Sequence, residues 1–185
     1  MRMIRRLLLD RRGSYALEIG FIGPPFLLLM LAIVELGLVL FTQTLLDGAA
    51  RDAARLIRTG QVQTGSSQAA QFATFQNLLC SDLSILLSQS DCQSQVVIEV
   101  VSQADFASTL TFPPCAQNVN STTQGTTCQF ASTIPPKQVV GVQVSYNRKS
   151  LISWVGQYLT PVGTNGTGTG FTLLMSTVVF LTEPY

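Results

Sequence analysis

Two glutamates stand where carboxylates are costly. Glu18 opens, and Glu35 interrupts, an apolar run from Ile19 to Phe41, 23 residues in which Glu35 is the only charge. An acid at the lip of a membrane has two physical readings: a side chain that snorkels to the headgroups, or a group kept for a purpose. Just before it, Arg11-Arg12-Gly13-Ser14 closes a basic leader in which Arg2, Arg5, Arg6, Arg11 and Arg12 face one acid, Asp10. A cut before Ser14 would create an α-amino group, positive at neutral pH, beside a low-dielectric layer where one carboxylate can neutralise it. If subunits stack with an axial offset, Glu18 of one reaches the amine of the next, and each buried charge gains a partner.

The other reactive side chains are four cysteines, Cys80, Cys92, Cys115 and Cys128. An even count beyond the apolar run, on the side where thiols oxidise, allows two bridges in three connectivities. Cys80–Cys92 and Cys115–Cys128 are favoured because each closes a short loop, contributing about 3 kcal/mol in the chain-entropy model. Zinc is the competing reading, but spacings of 11, 22 and 12 intervening residues contain no CxxC pair, so no metal is expected.

Catalysis finds little support. The chain has no histidine, which removes the commonest general base. Asp82, Asp91, Glu99, Asp105 and Glu183 are scattered without a motif that pairs them. Gly163, Gly166, Gly168 and Gly170 lack a preceding strand, a following Lys-Ser/Thr and the GxGxxG spacing, so they read as a flexible connection and not as a phosphate loop. No enzymatic activity and no cofactor are expected. Without residues 1–13 the chain keeps six basic and nine acidic residues, net −3, which is no nucleic-acid surface.

The elements that position these residues begin with the apolar run itself. As a helix, 23 residues span about 35 Å, enough for a bilayer core of about 30 Å. It is too long for the apolar region of a secretory signal and ends in no small-residue cleavage site, so it stays with the protein as a transmembrane helix. The arginine-rich start places the N-terminus in the cytoplasm and the remainder outside. Ala49, Ala50, Ala53 and Ala54 extend the helix as a stalk, and Gly60 offers a stop. Its alanine face is either a contact for partner helices or a plain exposed connection.

The motifs resemble a known family. Gly13, then Ser14-Tyr15-Ala16-Leu17, then Glu18, is similar to the type IV prepilin signal. Ile33-Val34-Glu35-Leu36-Gly37, Leu45 and Ala49-Ala50-Arg51-Asp52-Ala53-Ala54-Arg55 resemble the TadE-like pseudopilins of the tight-adherence (Tad/Flp) pilus system. Together these motifs cover residues 11–55. The resemblance implies cleavage by a prepilin peptidase between Gly13 and Ser14, Glu18 as the assembly carboxylate, Glu35 and Gly37 as the membrane motif, and Arg51 and Arg55 as the stalk motif. It also implies a bacterial inner-membrane protein with a periplasmic head, whose partners are other pilus subunits and the assembly platform, in support of adhesion and biofilm growth. Ile19 stands where major pilins of this system usually place Tyr, which argues for a minor subunit. Pro24-Pro25 interrupts the helix early. The alternative from a different class is an uncleaved single-pass protein with an external binding module.

Residues 59–185 suit one small head. Phe72, Phe75, Leu79, Leu83 and Leu86 predict an amphipathic helix over 67–88. Val96, Ile98 and Val100 alternate as a strand, as do Val140, Val142, Val144 and Tyr146. Leu151, Trp154, Val155, Tyr158 and Leu159 predict a short helix capped by Ser150, and Phe171–Leu181 a last strand. Residues 102–137 read as a surface loop held by a disulfide. The expected organisation is a leader (1–13), a transmembrane and stalk helix (14–58), and an α+β head (59–185) with a mostly antiparallel sheet and packed helices.

Overall fold

In the computed structural model, the described residues are 12–62, 67–107, 110–112, 130–131, 133–151 and 170–184. Helix α1 runs Arg12–Arg58, 47 residues with Pro24 and Pro25 inside it. The expected interruption does not occur. Proline removes the donors that would serve the carbonyls of Gly20 and Phe21, but a helix whose other turns are intact continues through that loss, as membrane helices commonly do. The chain divides into two compact units within this helix, residues 1–38 and 39–185.

In the first unit the helix is apolar around its circumference: Phe21, Ile22, Leu29, Ile33 and Leu36 are all exposed. No helical period separates a polar from an apolar side there, which suits a surrounding apolar solvent.

The second unit starts with the last turns of α1, where the pattern changes. Leu46, Ala49, Ala50, Ala53, Ala54 and Ile57 fall at helical spacing and are all buried. The helix stops in a Schellman motif: Gly60, at φ 76°, donates to the Ile57 carbonyl at 3.1 Å, and the Gln61 N–H reaches the Leu56 carbonyl at 2.9 Å. Glycine adopts that left-handed backbone without the steric cost a side chain adds.

Helix α2, Gln68–Asp82, begins where Ser67 caps it by accepting from the Ala70 N–H. It ends six residues before the expected limit of 88. Leu83 and Leu86 keep the apolar spacing through a turn, because the periodicity records which side chains are buried and not which backbone is helical. Helix α3, Gln89–Gln95, follows with Ser88 as its cap. A Cys80–Cys92 disulfide joins α2 to α3.

Strands β1 (Val96–Gln103), β2 (Val139–Lys149) and β3 (Phe171–Leu181) form one antiparallel sheet in that order. Ile98 and Val100, Val142 and Val144, and Leu174 face the helices and complete a core with Phe75, Leu79 and the alanine face of α1. The Phe130 ring meets Phe72 and Phe75 edge-on at centroid distances of 5.4 and 6.1 Å. Beside it, the Ala131 N–H donates to the Val100 carbonyl at 3.0 Å, extending the β1 edge by one parallel bridge. The architecture is α+β: among the described residues, one long apolar helix, then a small head with three antiparallel strands and two short helices.

The other sheet face is also covered along β1 and β2: Val97, Glu99, Val139, Gly141, Gln143 and Ser145 are all buried there. Leu110 and Phe112 lie across it, and a Cβ on Gly141 would meet Phe112 Cζ at 2.8 Å, so any larger residue there requires the Phe112 ring to shift.

Candidate membrane anchor and stalk

Within the first unit, Gly13 and Ser14 fall in the opening turn of α1, and Glu18 follows one turn later with its side chain exposed. Glu35 is 3% exposed, in contrast to its exposed apolar neighbours Val34 and Leu36. The two glutamates are 17 positions apart on one helix, about 25 Å at 1.5 Å per residue, so they do not form a paired carboxylate site. Gly37 is open: a Cβ there would meet nothing within 4 Å. One such helix, long and apolar enough to span a bilayer, is compatible with a single-pass membrane protein.

Within the second unit, Arg51 and Arg55 lie exposed one turn apart on the flank of α1 away from the buried alanines. Those alanines neither await a partner helix nor stand free in solvent. Ala50 and Ala53 are 0% exposed because the head's own sheet and α2 close on them. The small side chains of the stalk share one buried core with the sheet, inside one chain.

Two polar clamps that the sequence did not signal fix β3 along the stalk. Gln43 Nε2 donates to the Met175 carbonyl at 2.9 Å and to Asp47 Oδ1 at 3.2 Å. At the other end Arg58 Nε pairs with Glu183 Oε1 at 3.1 Å, and the Glu183 N–H donates to the Arg58 carbonyl at 3.1 Å. The Arg58–Glu183 ion pair is half exposed and contributes at most about 1 kcal/mol, so it registers the strand more than it stabilises it. Asp82, at the end of α2, has its pKa raised by burial and by the charge of Asp52 on the stalk.

Of the cysteines, Cys80 and Cys92 form the bridge, with Cα atoms 5.7 Å apart. Cys115 and Cys128 lie outside the described residues, as do the expected helix at 151–159 beyond its first residue and most of the glycine-rich connection. The head residue that motif reading passed over is Glu99, fully buried in mid-sheet. A signal for it exists: Val96-Val97-Ile98-Glu99-Val100-Val101 is apolar at both parities, which marks a strand covered on both faces, so an acid inside it has to be buried.

No curated protein and no solved structure matches the chain. Residues 13–55 match the family model described as TadE-like protein, from the glycine before Ser14 to the second stalk arginine, so this anchor and stalk segment is similar to that family.

Proposed function

We propose that the chain is a minor pilin or pseudopilin, a structural subunit in the assembly of a Tad-type pilus, held in the bacterial inner membrane by the apolar run 19–41 of its transmembrane and stalk helix (14–58), with its N-terminus cytoplasmic and its head periplasmic. The observation that carries this reading is the family match itself, which begins at Gly13 and runs through Glu18, Glu35 and the Arg51/Arg55 pair on one continuous helix. On this reading a prepilin peptidase cuts between Gly13 and Ser14. The new amine then lies at the foot of an apolar helix, and the exposed Glu18 of an axially offset neighbour neutralises it. Other pilus subunits and the assembly platform are the partners, adhesion and biofilm growth the outcome, and the chain has no catalysis of its own.

The test is the intact mass and N-terminal sequence of the protein recovered from membranes that contain an active prepilin peptidase. A chain starting at Ser14 is expected. A chain still starting at Met1 would replace the proposal with an uncleaved single-pass protein bearing an external binding module. Glu18→Ala is expected to leave insertion intact and to abolish co-purification with the other pilus subunits.

A further inference from the structure

Glu99 sits in the middle of β1 on the sheet face turned away from the helices. It is 0% exposed, and neither carboxylate oxygen has a hydrogen-bond partner. Its cross-strand neighbour is Gln143, whose amide can donate, yet that amide reaches Met175 Sδ at 3.3 Å instead. Burial away from water with no donor favours the neutral acid form, because the ionised form would be buried without compensation.

Among the described residues, the groups around it offer no charge. The same face carries Val97 and Val101 on β1, Gly141, Gln143 and Ser145 on β2, and Met175, Thr177 and Val179 on β3, with Leu110, Thr111 and Phe112 in the segment that crosses Gly141. None of these ionises. Lys149 shares the face but lies six positions along β2 from Gln143, about 20 Å at strand spacing, and Asp105 lies in the turn past β1; both are exposed. Tyr146 and Arg148 belong to the opposite face by parity. Burial alone raises the Glu99 pKa.

We propose that covering this sheet face is coupled to proton uptake by Glu99, so that the head holds the face closed at acid pH and releases it as pH rises. Between the ordinary carboxyl value and Glu99's own raised value, the covered state carries one proton that the open state lacks. Rising pH in that window therefore disfavours the covered state, by up to about tenfold per pH unit. Release joins the buried Val97, Val139 and Gln143 to Met175, Val179 and Leu181, already exposed on the same side of β3, and so enlarges one apolar contact surface. The inference is independent of pilus assembly, since it rests on the head alone.

The test uses the full chain in detergent micelles with 13Cδ-labelled glutamate. Four glutamates give four carboxyl signals, and Glu99→Gln assigns the one that matters. The Glu99 signal is expected to titrate above the ordinary carboxylate range. In parallel, hydrogen exchange across residues 97–103 is compared between wild type and E99Q from pH 5 to pH 8. The ratio of wild-type to E99Q exchange is expected to rise with pH by up to about tenfold per unit inside the window. Using the ratio removes the intrinsic pH dependence of exchange and the contribution of Asp82, whose raised pKa has the same sign in both proteins. A Glu99 signal that titrates in the ordinary carboxylate range, or a ratio that stays constant, would overturn the proposal. If E99Q does not fold, titration of the wild-type signal that is absent from an E99D sample decides alone.

Discussion

Helix α1 is one secondary-structure element with two kinds of side-chain order. Up to Leu38 its large apolar residues are exposed on every side; from Leu46 to Ile57 the buried positions follow a strict helical period and are mostly alanine. Both parts are helical, so the difference lies in what each part has to satisfy. The all-apolar lower part suits a solvent as apolar as itself, where no face is preferred. The upper part meets a folded sheet on one side and water on the other, and there the identity of each side chain is fixed by the space left for it.

The largest expected contrast between the two parts is a truncation. Ile57→Ala, at a position 0% exposed, is expected to lower the unfolding free energy of the head by about 2–5 kcal/mol. Leu36→Ala, half exposed in the lower part, should leave the head's urea midpoint where it is when followed by circular dichroism in micelles. Equal losses would dissolve the distinction. Next comes enlargement. Ala50→Leu forces three extra heavy atoms into a closed contact and should cost about 1–3 kcal/mol in the same assay. Gly37→Ala adds a methyl group that meets nothing, and no shift in head stability is expected. The smallest effect belongs to the clamp at the end of the stalk. Arg58→Ala should cost at most about 1 kcal/mol, and that difference should shrink further as salt is raised from 0.05 to about 0.5 M.

Much of the head was legible because its signals are local. The alternation at Val96, Ile98 and Val100 and at Val140, Val142 and Val144 marks strands, and the structure places strands there. Gly60 announced the end of the first helix through backbone chemistry that needs no tertiary partner. The short spacing of Cys80 and Cys92 likewise favoured the pairing that α2 and α3 bring together. Where tertiary contacts decide, the reading failed. Alanines at helical spacing announce close approach but not to what, and the occupant turned out to be the chain's own sheet. Leu83 and Leu86 are packed by a turn that imitates helical spacing. Pro24 and Pro25 looked like a break because the rule is calibrated on helices that can exchange a lost internal bond for water. In the anchor, Glu18 and Gly13 were readable only through their motif, and nothing in residue type alone foretold that Glu35 would be buried while its neighbours are not.

The clamp from Gln43 to Met175 spans 132 positions of sequence. The wall of the core is thus laid down near the beginning of the chain and closed by the final strand. Contacts of such separation form late, because the intervening loop has to be ordered before they return any free energy. As the chain is synthesised, the contacts of Gln43 and Arg58 with the C-terminal segment therefore stay unmade until Phe171–Leu181 and Glu183 have emerged, and the stalk is not locked to the head before that interval ends.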